Sequence, residues 1–127
     1  MSGDEGRERA PAPAGRVELI ELGGVPVARL VGEIDLAVAP VVEARLLGLL
    51  SARNRGLIVD LSDVRYLDSS IVRVLFVVAD RFAATGRELH VVVPRGSRLV
   101  RLVSIIQLDA VVAVHYDLAA AARSLEG

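Results

Sequence analysis

The most chemically distinctive stretch of the sequence is Asp68-Ser69-Ser70, which lies between an apolar segment and the predicted start of a helix. A Ser or Asp at such a position ordinarily caps the helix, because its side-chain oxygen accepts hydrogen bonds from free backbone N–H groups. Three such residues in a row exceed what capping needs, so at least one hydroxyl is expected at the surface. The same N–H groups and the helix dipole also favour a phosphate, so the segment is a candidate phosphorylation site.

Phosphorylation at this point of the chain would change the local charge sharply. A phosphoserine adds about −1.5 to −2 charges at neutral pH. On a contact surface that charge could repel or desolvate a partner without unfolding the domain, and Asp35 and Asp68 would add like-charge repulsion. Spacing alone does not decide between a capping role and a switch role, and both interpretations stay open at this point.

A catalytic role for Ser69 is not predicted. A serine nucleophile needs a base and an acid that orients the base. The chain has two histidines, His90 and His115, and both fall on predicted strands far along the sequence from Ser69. The sequence contains no Gly-x-Ser-x-Gly elbow either. The protein is therefore predicted not to be an enzyme.

No metal or cofactor is predicted. The absence of cysteine excludes disulfides and thiolate metal sites. Carboxylates do stand at predicted strand ends, but their spacing matches neither an EF-hand nor a two-histidine motif, and no Walker or dinucleotide fingerprint is present. These carboxylates are Glu33, Asp35, Asp60, Asp63 and Asp68.

The helix predicted from about Ser70 to Ala84 carries two apolar stripes. The first, interpreted as the core stripe, consists of Val72, Leu75, Phe76 and Ala79; the second consists of Ile71, Val74 and Val78 and begins beside the serines. A helix that is apolar nearly all round is either sandwiched between other elements or bound to a partner. For the second stripe, burial by the neighbouring third helix and a partner surface beside Ser69 both stay open, and so does a homodimer.

Hydrophobic periodicity predicts the elements that position these residues. Alternation and short apolar runs predict five strands, and 3.6-residue periodicity predicts four helices. The loop Gly32-Glu33-Ile34-Asp35 and the turn Ser62-Asp63 are expected to separate elements. The predicted strands are 16–22, 25–31, 57–61, 88–93 and 111–115. The first predicted helix starts near residue 38 or 39, and the other three are 70–84, 97–106 and 118–125. Strands alternating with helices indicate an α/β fold with a mostly parallel sheet and an initial antiparallel hairpin.

Size and composition limit the possible functions. The 127 residues fit one domain, predicted here as residues 16–127 after a disordered tail at 1–15. Because the tail lacks the apolar segment of a secretion signal, the protein is predicted to be cytoplasmic. A net charge of −1 gives no single-sign field, and no apolar run approaches the length of a membrane helix, so neither direct nucleic-acid binding nor membrane insertion is expected.

In combination, several segments resemble the STAS domain of anti-sigma factor antagonists. They cover nearly the whole chain beyond the tail, from about Arg16 to Leu125. They are Gly32-Glu33-Ile34-Asp35, Leu57-Ile58-Val59-Asp60-Leu61-Ser62, Tyr66-Leu67-Asp68-Ser69-Ser70, Ser97-Arg98-Leu99-Val100-Arg101-Leu102 and Leu108-Asp109.

This resemblance implies partner switching. The unphosphorylated antagonist would bind an anti-sigma factor, a serine kinase of the histidine-kinase-like ATPase fold, and so free the sigma factor. Phosphorylation would release the antagonist, and a PP2C-type phosphatase would reset it. The family's acceptor serine follows the Asp directly, which places it on Ser69, with Asp35 close by and Ser70 as a minor acceptor. The partner surface would then comprise Asp35, Asp68, Ser70, Ile71, Val74 and Val78.

One departure from the family pattern leaves a second hypothesis open. The family usually has Gly after the two serines, where this sequence has Ile71. A glycine there would permit close approach of a partner to the backbone. The alternative is an accessory STAS subunit of a lipid transporter or a stress-sensing complex, without a phosphorylation switch.

Overall fold

The chain folds around one mixed sheet. The structure is a computed structural model that describes residues 15–51 and 55–125. β1 runs antiparallel to β2, and every other neighbouring pair in the sheet is parallel. The predicted α/β fold, with its mostly parallel sheet and N-terminal hairpin, is confirmed. The five strands are β1 (Gly15–Leu22), β2 (Val25–Ile34), β3 (Gly56–Leu67), β4 (Glu88–Val92) and β5 (Ala113–His115), and they lie side by side in that order.

Four α-helices occur in the described part of the chain. They are α1 (Ala39–Leu47), α2 (Ser69–Ala84), α3 (Leu99–Ile105) and α4 (Leu118–Leu125), and short 3-10 helices occupy Gly48–Ser51 and Leu108–Ala110. Pro40 stands in the first turn of α1, where its missing N–H is not needed. None of the helices in the described segments is long and apolar enough to cross a bilayer.

The predicted tail cannot be compared with the structure. Residues 1–14 lie outside the described residues, and Gly15 begins β1.

Two central strands are longer than predicted. β2 continues to Ile34 through the predicted loop, and β3 continues to Leu67 through the predicted turn at Ser62-Asp63. The pairing between β2 and β3 shifts register twice, between Arg29 and Val31 and again beyond Gly32. At each irregularity β3 contains one extra residue without a partner on β2, and the pairing of the two strands continues beyond it. The polar residues mistaken for a turn therefore lie within an irregular strand.

Two smaller boundaries also differ, in both cases because local hydrogen bonds hold the chain in a turn. The Ser97 hydroxyl oxygen accepts from the Leu99 N–H at 3.0 Å, so α3 begins at Leu99 rather than at Ser97. The Val111 N–H donates to the Leu108 carbonyl at 3.0 Å, so β5 begins at Ala113 rather than at Val111.

Helices cover the two faces of the sheet unequally. α1, α2 and α3 bury the larger core cluster on one face, with Phe82 among its fully buried side chains. On the opposite face α4 covers a smaller cluster, which contains Val25, Val27, Ile58 and Val92 against Ala121, Ala122 and Leu125. This arrangement places the start of α2 at the carboxyl edge of β3, where ligand and partner sites of open α/β sheets ordinarily lie.

Candidate functional site

Asp68 joins the end of β3 to the start of α2 and caps the helix. Its backbone is extended, with φ −101° and ψ −179°, as an N-cap residue requires. One carboxylate oxygen, Oδ1, accepts from the Ser70 N–H at 2.9 Å and also from the Ser70 hydroxyl. The predicted capping role is therefore present, and it uses the side chains of Asp68 and Ser70.

The same aspartate ties the β2–α1 loop to the start of α2. Asp68 Oδ2 accepts from the Leu36 N–H at 3.0 Å, and the Asp68 N–H donates to the Ile34 carbonyl at 3.2 Å. Asp35 lies between these two contacts, but its Oδ1 accepts from the Ala37 N–H at 3.1 Å within its own loop. The structure thus ties the segment around Asp35 to Asp68, the residue directly before the serines.

The two serines differ in accessibility and in bonding. The Ser70 hydroxyl is half-buried and donates to Asp68. Ser69 is exposed, and its hydroxyl has no hydrogen-bond partner within residues 15–51 and 55–125. A free hydroxyl at the first residue of a helix is accessible to a modifying enzyme, and the positive end of the helix dipole favours a phosphate there.

Hydrogen bonding holds the pKa of Asp68 below its ordinary value. The largest cause is the bond from the Ser70 hydroxyl; desolvation acts in the opposite direction, and the N–H groups of Ser70, Ile71 and Leu36 add to the lowering. Asp68 is consequently a carboxylate at neutral pH, one residue before Ser69. Its negative charge suits the helix N-terminus and adds to the charge of any phosphate placed on Ser69.

This lowered pKa predicts a pH-dependent contribution of Asp68 to stability. Because the pKa in the folded state lies below the unfolded value of about 3.9, the contribution is complete above about pH 4 and is lost as the pH falls through the folded-state pKa. We expect Asp68→Asn to be less stable than wild type at pH 6, with the difference shrinking towards pH 2.5. Chemical denaturation across this range measures it, with the exposed Asp80→Asn on the same helix as control. A difference that stays constant with pH would contradict the assignment.

The second apolar stripe of α2 is not a surface. Ile71, Val74 and Val78 are 0%, 2% and 0% exposed, so the expectation that they contact a partner or a second copy is wrong. They pack into the larger core cluster, where α2 contacts α1 and the strands β3 and β4. The predicted core stripe holds in part: Leu75 and Ala79 are buried, whereas Val72 and Phe76 are only half-buried.

The accessible apolar surface beside Ser69 consists of other residues. Val72 and Phe76 follow Ser69 at i+3 and i+7 on α2, so all three lie along one side of the helix. Leu36, whose N–H is bound to Asp68, is 71% exposed. Phe76 also lines a groove of about 450 Å³ with Ala79, Asp80, Ala83 and Val111. No local sequence pattern indicates Leu36, because its bond to Asp68 spans 32 residues.

The remaining candidate residues do not join this site. His90 and His115 bond to each other and not to a serine. Asp60 and Asp63 pair with Arg29 on the sheet. Within residues 15–51 and 55–125, no three His, Asp or Glu side chains are arranged to hold a metal ion.

A family model identifies the domain to which this geometry corresponds. The model for the STAS domain matches residues 16–121, which is most of the chain. No curated protein sequence matches the chain in a direct comparison.

Solved structures agree with the family match at the level of the fold. An anti-sigma factor antagonist from Mycobacterium paratuberculosis superposes with a TM-score of 0.79 at 23% identity, over 91% of this chain and 98% of that one. The Bacillus cell fate determinant SpoIIAA in its phosphorylated form gives 0.65 at 17% identity, over 86% and 99%. SpoIIAA in its unphosphorylated form gives 0.67 at 16% identity, over 86% and 96%. At these identities the likeness shows the shared fold.

Proposed function

The chain belongs to the STAS domain family, and from that premise we propose that it is an anti-sigma factor antagonist controlled by phosphorylation of Ser69. Unphosphorylated, it binds an anti-sigma factor that is a serine kinase; phosphorylated, it releases that kinase. A PP2C-type phosphatase removes the phosphate. The protein acts in the cytoplasm as a binding module without catalysis of its own, and residues 16–127 form its single STAS domain.

The observation that carries this proposal is the difference between the two serines. Ser69 is exposed with a free hydroxyl, whereas the Ser70 hydroxyl is held by Asp68. A kinase can align the Ser69 oxygen with its phosphate donor without breaking a bond inside the antagonist. Modification of Ser70 would first require its hydroxyl to break its bond to Asp68. Ser69 is therefore the acceptor, and Ser70 and Asp68 hold the helix terminus that presents it.

The charge change explains how one phosphate can end a contact. The group would bring about −1.5 to −2 charges next to the Asp68 carboxylate. The half-buried Val72 and Phe76 lie along the same side of α2 as Ser69, and the exposed Leu36 is bound to Asp68, so a partner that buries these residues would have to desolvate the new charge. Charges that are buried without a partner are strongly unfavourable, so the complex dissociates. That SpoIIAA, a protein of the same fold, has been solved in both unphosphorylated and phosphorylated forms supports such a cycle.

The alternative of an accessory subunit without a switch loses its main support. The argument for it from the sequence is that Ile71 replaces a glycine that would let a partner approach the backbone closely. Ile71 is fully buried, so the surface around Ser69 is unaffected by it.

Four forms of the protein test the proposal: wild type, Ser69→Ala, Ser69→Asp and Ser70→Ala. We expect the host's anti-sigma kinase to bind the first, second and fourth with similar affinity. Binding to Ser69→Asp should be at least about 100-fold weaker, because like or unpaired charge in an interface costs several kcal/mol. Calorimetry with the purified kinase measures these affinities.

Incubation of the same kinase with ATP identifies the acceptor. Mass spectrometry should find phosphate on Ser69 in wild type and Ser70→Ala, and none in Ser69→Ala. Phosphate on Ser70 instead, or equal affinity for Ser69→Ala and Ser69→Asp, would contradict the proposal.

A further inference from the structure

A pair of histidines, one buried and one half-buried, joins β4 and β5, the last two strands of the sheet. His90 on β4 is 2% exposed, and its Nδ1 lies 2.9 Å from Nε2 of His115 on β5. The ring centroids are 5.1 Å apart and the ring planes are 12° from parallel, so the two rings are nearly coplanar and meet edge to edge through these nitrogens. The other nitrogen of His90, Nε2, lies 2.7 Å from Glu88 Oε1. Both nitrogens of the buried ring are thus engaged.

These contacts limit how many protons the pair can carry. The carboxylate of Glu88 can only accept, so Nε2 of His90 must carry a hydrogen. The 2.9 Å contact requires a single hydrogen between the two facing nitrogens. One extra proton can enter at the remaining nitrogen of His115. A second would place hydrogens on both facing nitrogens, so the bond would break and two positively charged rings would face each other edge to edge.

The bond between the rings supports a weakly held part of the fold. β5 has three residues, pairs with the sheet only through β4, and lies at its edge. α4 follows immediately and covers the smaller core cluster around Val27, Ile58 and Val92. Loss of the contact between His90 and His115 therefore weakens the attachment of β5 and the cover that α4 provides.

The charges around the pair act in both directions. Glu88 accepts from His90, and Asp117 raises the pKa of His115. Burial and the charge of His90 outweigh Asp117 and lower the pKa of His115 overall. Arg87 lines the same cavity as Glu88 and His90, and its Nη1 is buried without a hydrogen-bond partner. Asp60 on β3 is occupied by Ser62 and Arg29, and Arg123 on α4 is exposed.

From this geometry we propose that His90 and His115 form a proton-sensitive latch that holds β5 and α4 on the sheet at neutral pH and releases them in mild acid. The latch is separate from the proposed phosphorylation of Ser69. Because the folded pair resists the second proton, its stabilising contribution is complete above the unfolded histidine pKa of about 6.5 and is lost as the pH falls below that value.

Denaturant unfolding and NMR of the full chain test the latch together. If the histidine pair takes up one more proton when the chain unfolds, the folding equilibrium constant should fall about tenfold between pH 6 and pH 5. In His115→Gln this change should shrink to less than about threefold, since the amide can still bond to His90 but does not titrate. Because the chain has two histidines, its imidazole signals are assigned by single replacements. Amide protection in β5 and α4 should fall at acid pH, with β2 and β3 unchanged.

A second pair of variants keeps the test decisive if His115→Gln does not fold. Glu88→Gln removes the charge beside His90 and should shift the NMR titration of the pair to lower pH, whereas the exposed Glu21→Gln should leave it unchanged. Two histidines that titrate independently near pH 6.5, or a Glu88→Gln titration equal to that of wild type, would overturn the proposal.

Discussion

Replacing Ile71 with glycine is expected to lower the free energy of unfolding by about 3–6 kcal/mol. The Ile71 side chain is 0% exposed and belongs to the larger core cluster, so its removal leaves a cavity beneath the first turn of α2. Glycine also adds backbone entropy to the unfolded chain. Urea denaturation measures the loss, and Val72→Gly, one position further along the helix and half-buried, is the matched control.

The result for Ile71 bears directly on function, because the resemblance to anti-sigma factor antagonists implies a glycine at this position. If the side chain belongs only to the core, the more conservative Ile71→Val should bind the anti-sigma kinase as tightly as wild type. A stability loss for Ile71→Gly no larger than that for Val72→Gly would show that the side chain is not packed as described. A strong effect of Ile71→Val on kinase affinity, with stability preserved, would return Ile71 to the partner surface.

Alanine replacements of the two phenylalanines of α2 are expected to differ, one lowering stability and the other lowering kinase affinity. Phe82 is fully buried near the end of the helix, and Phe82→Ala should cost about 3–5 kcal/mol of unfolding free energy. Phe76 is half-buried and lines the groove beside Val111. Phe76→Ala should therefore cost much less stability.

Kinase affinity supplies the second half of the comparison. Aromatic side chains dominate protein interfaces, and truncation of an interface anchor commonly costs 2 kcal/mol or more, so Phe76→Ala should weaken binding by roughly 30-fold. Phe82→Ala should leave affinity nearly unchanged at temperatures where the variant is folded. Equal stability losses would place Phe76 in the core, and unchanged affinity for Phe76→Ala would remove it from the proposed contact surface.

Much of the fold followed from local patterns in the sequence. Alternation in β1 and the apolar run at the start of β3 predicted strands, because side-chain direction in a strand repeats every two residues. Pro40 and the Asp-Ser-Ser segment marked helix starts through the hydrogen-bonding needs of the first turn. The parallel order then followed from strands alternating with helices. Each of these inferences depends on interactions between residues close in the chain.

Tertiary structure decided what periodicity left open. Two stripes on α2 were both apolar, and only packing against α1 and the sheet determined that Ile71 and Val74 face inward while Val72 and Phe76 stay accessible. The extension of β3 through Ser62-Asp63 depended on its irregular pairing with β2.

The sequence by itself therefore determined the α/β class, the order of the elements and the presence of hydroxyls at the start of α2. Only the tertiary structure distinguished Ser69 from Ser70, through the bond from the Ser70 hydroxyl to Asp68, and joined Leu36 to the same site across 32 residues. It also brought His90 and His115 together from positions 25 residues apart. The physical reason is common to these cases: a local pattern records which side chains are apolar or polar, whereas contacts between distant segments decide which are covered and which are free.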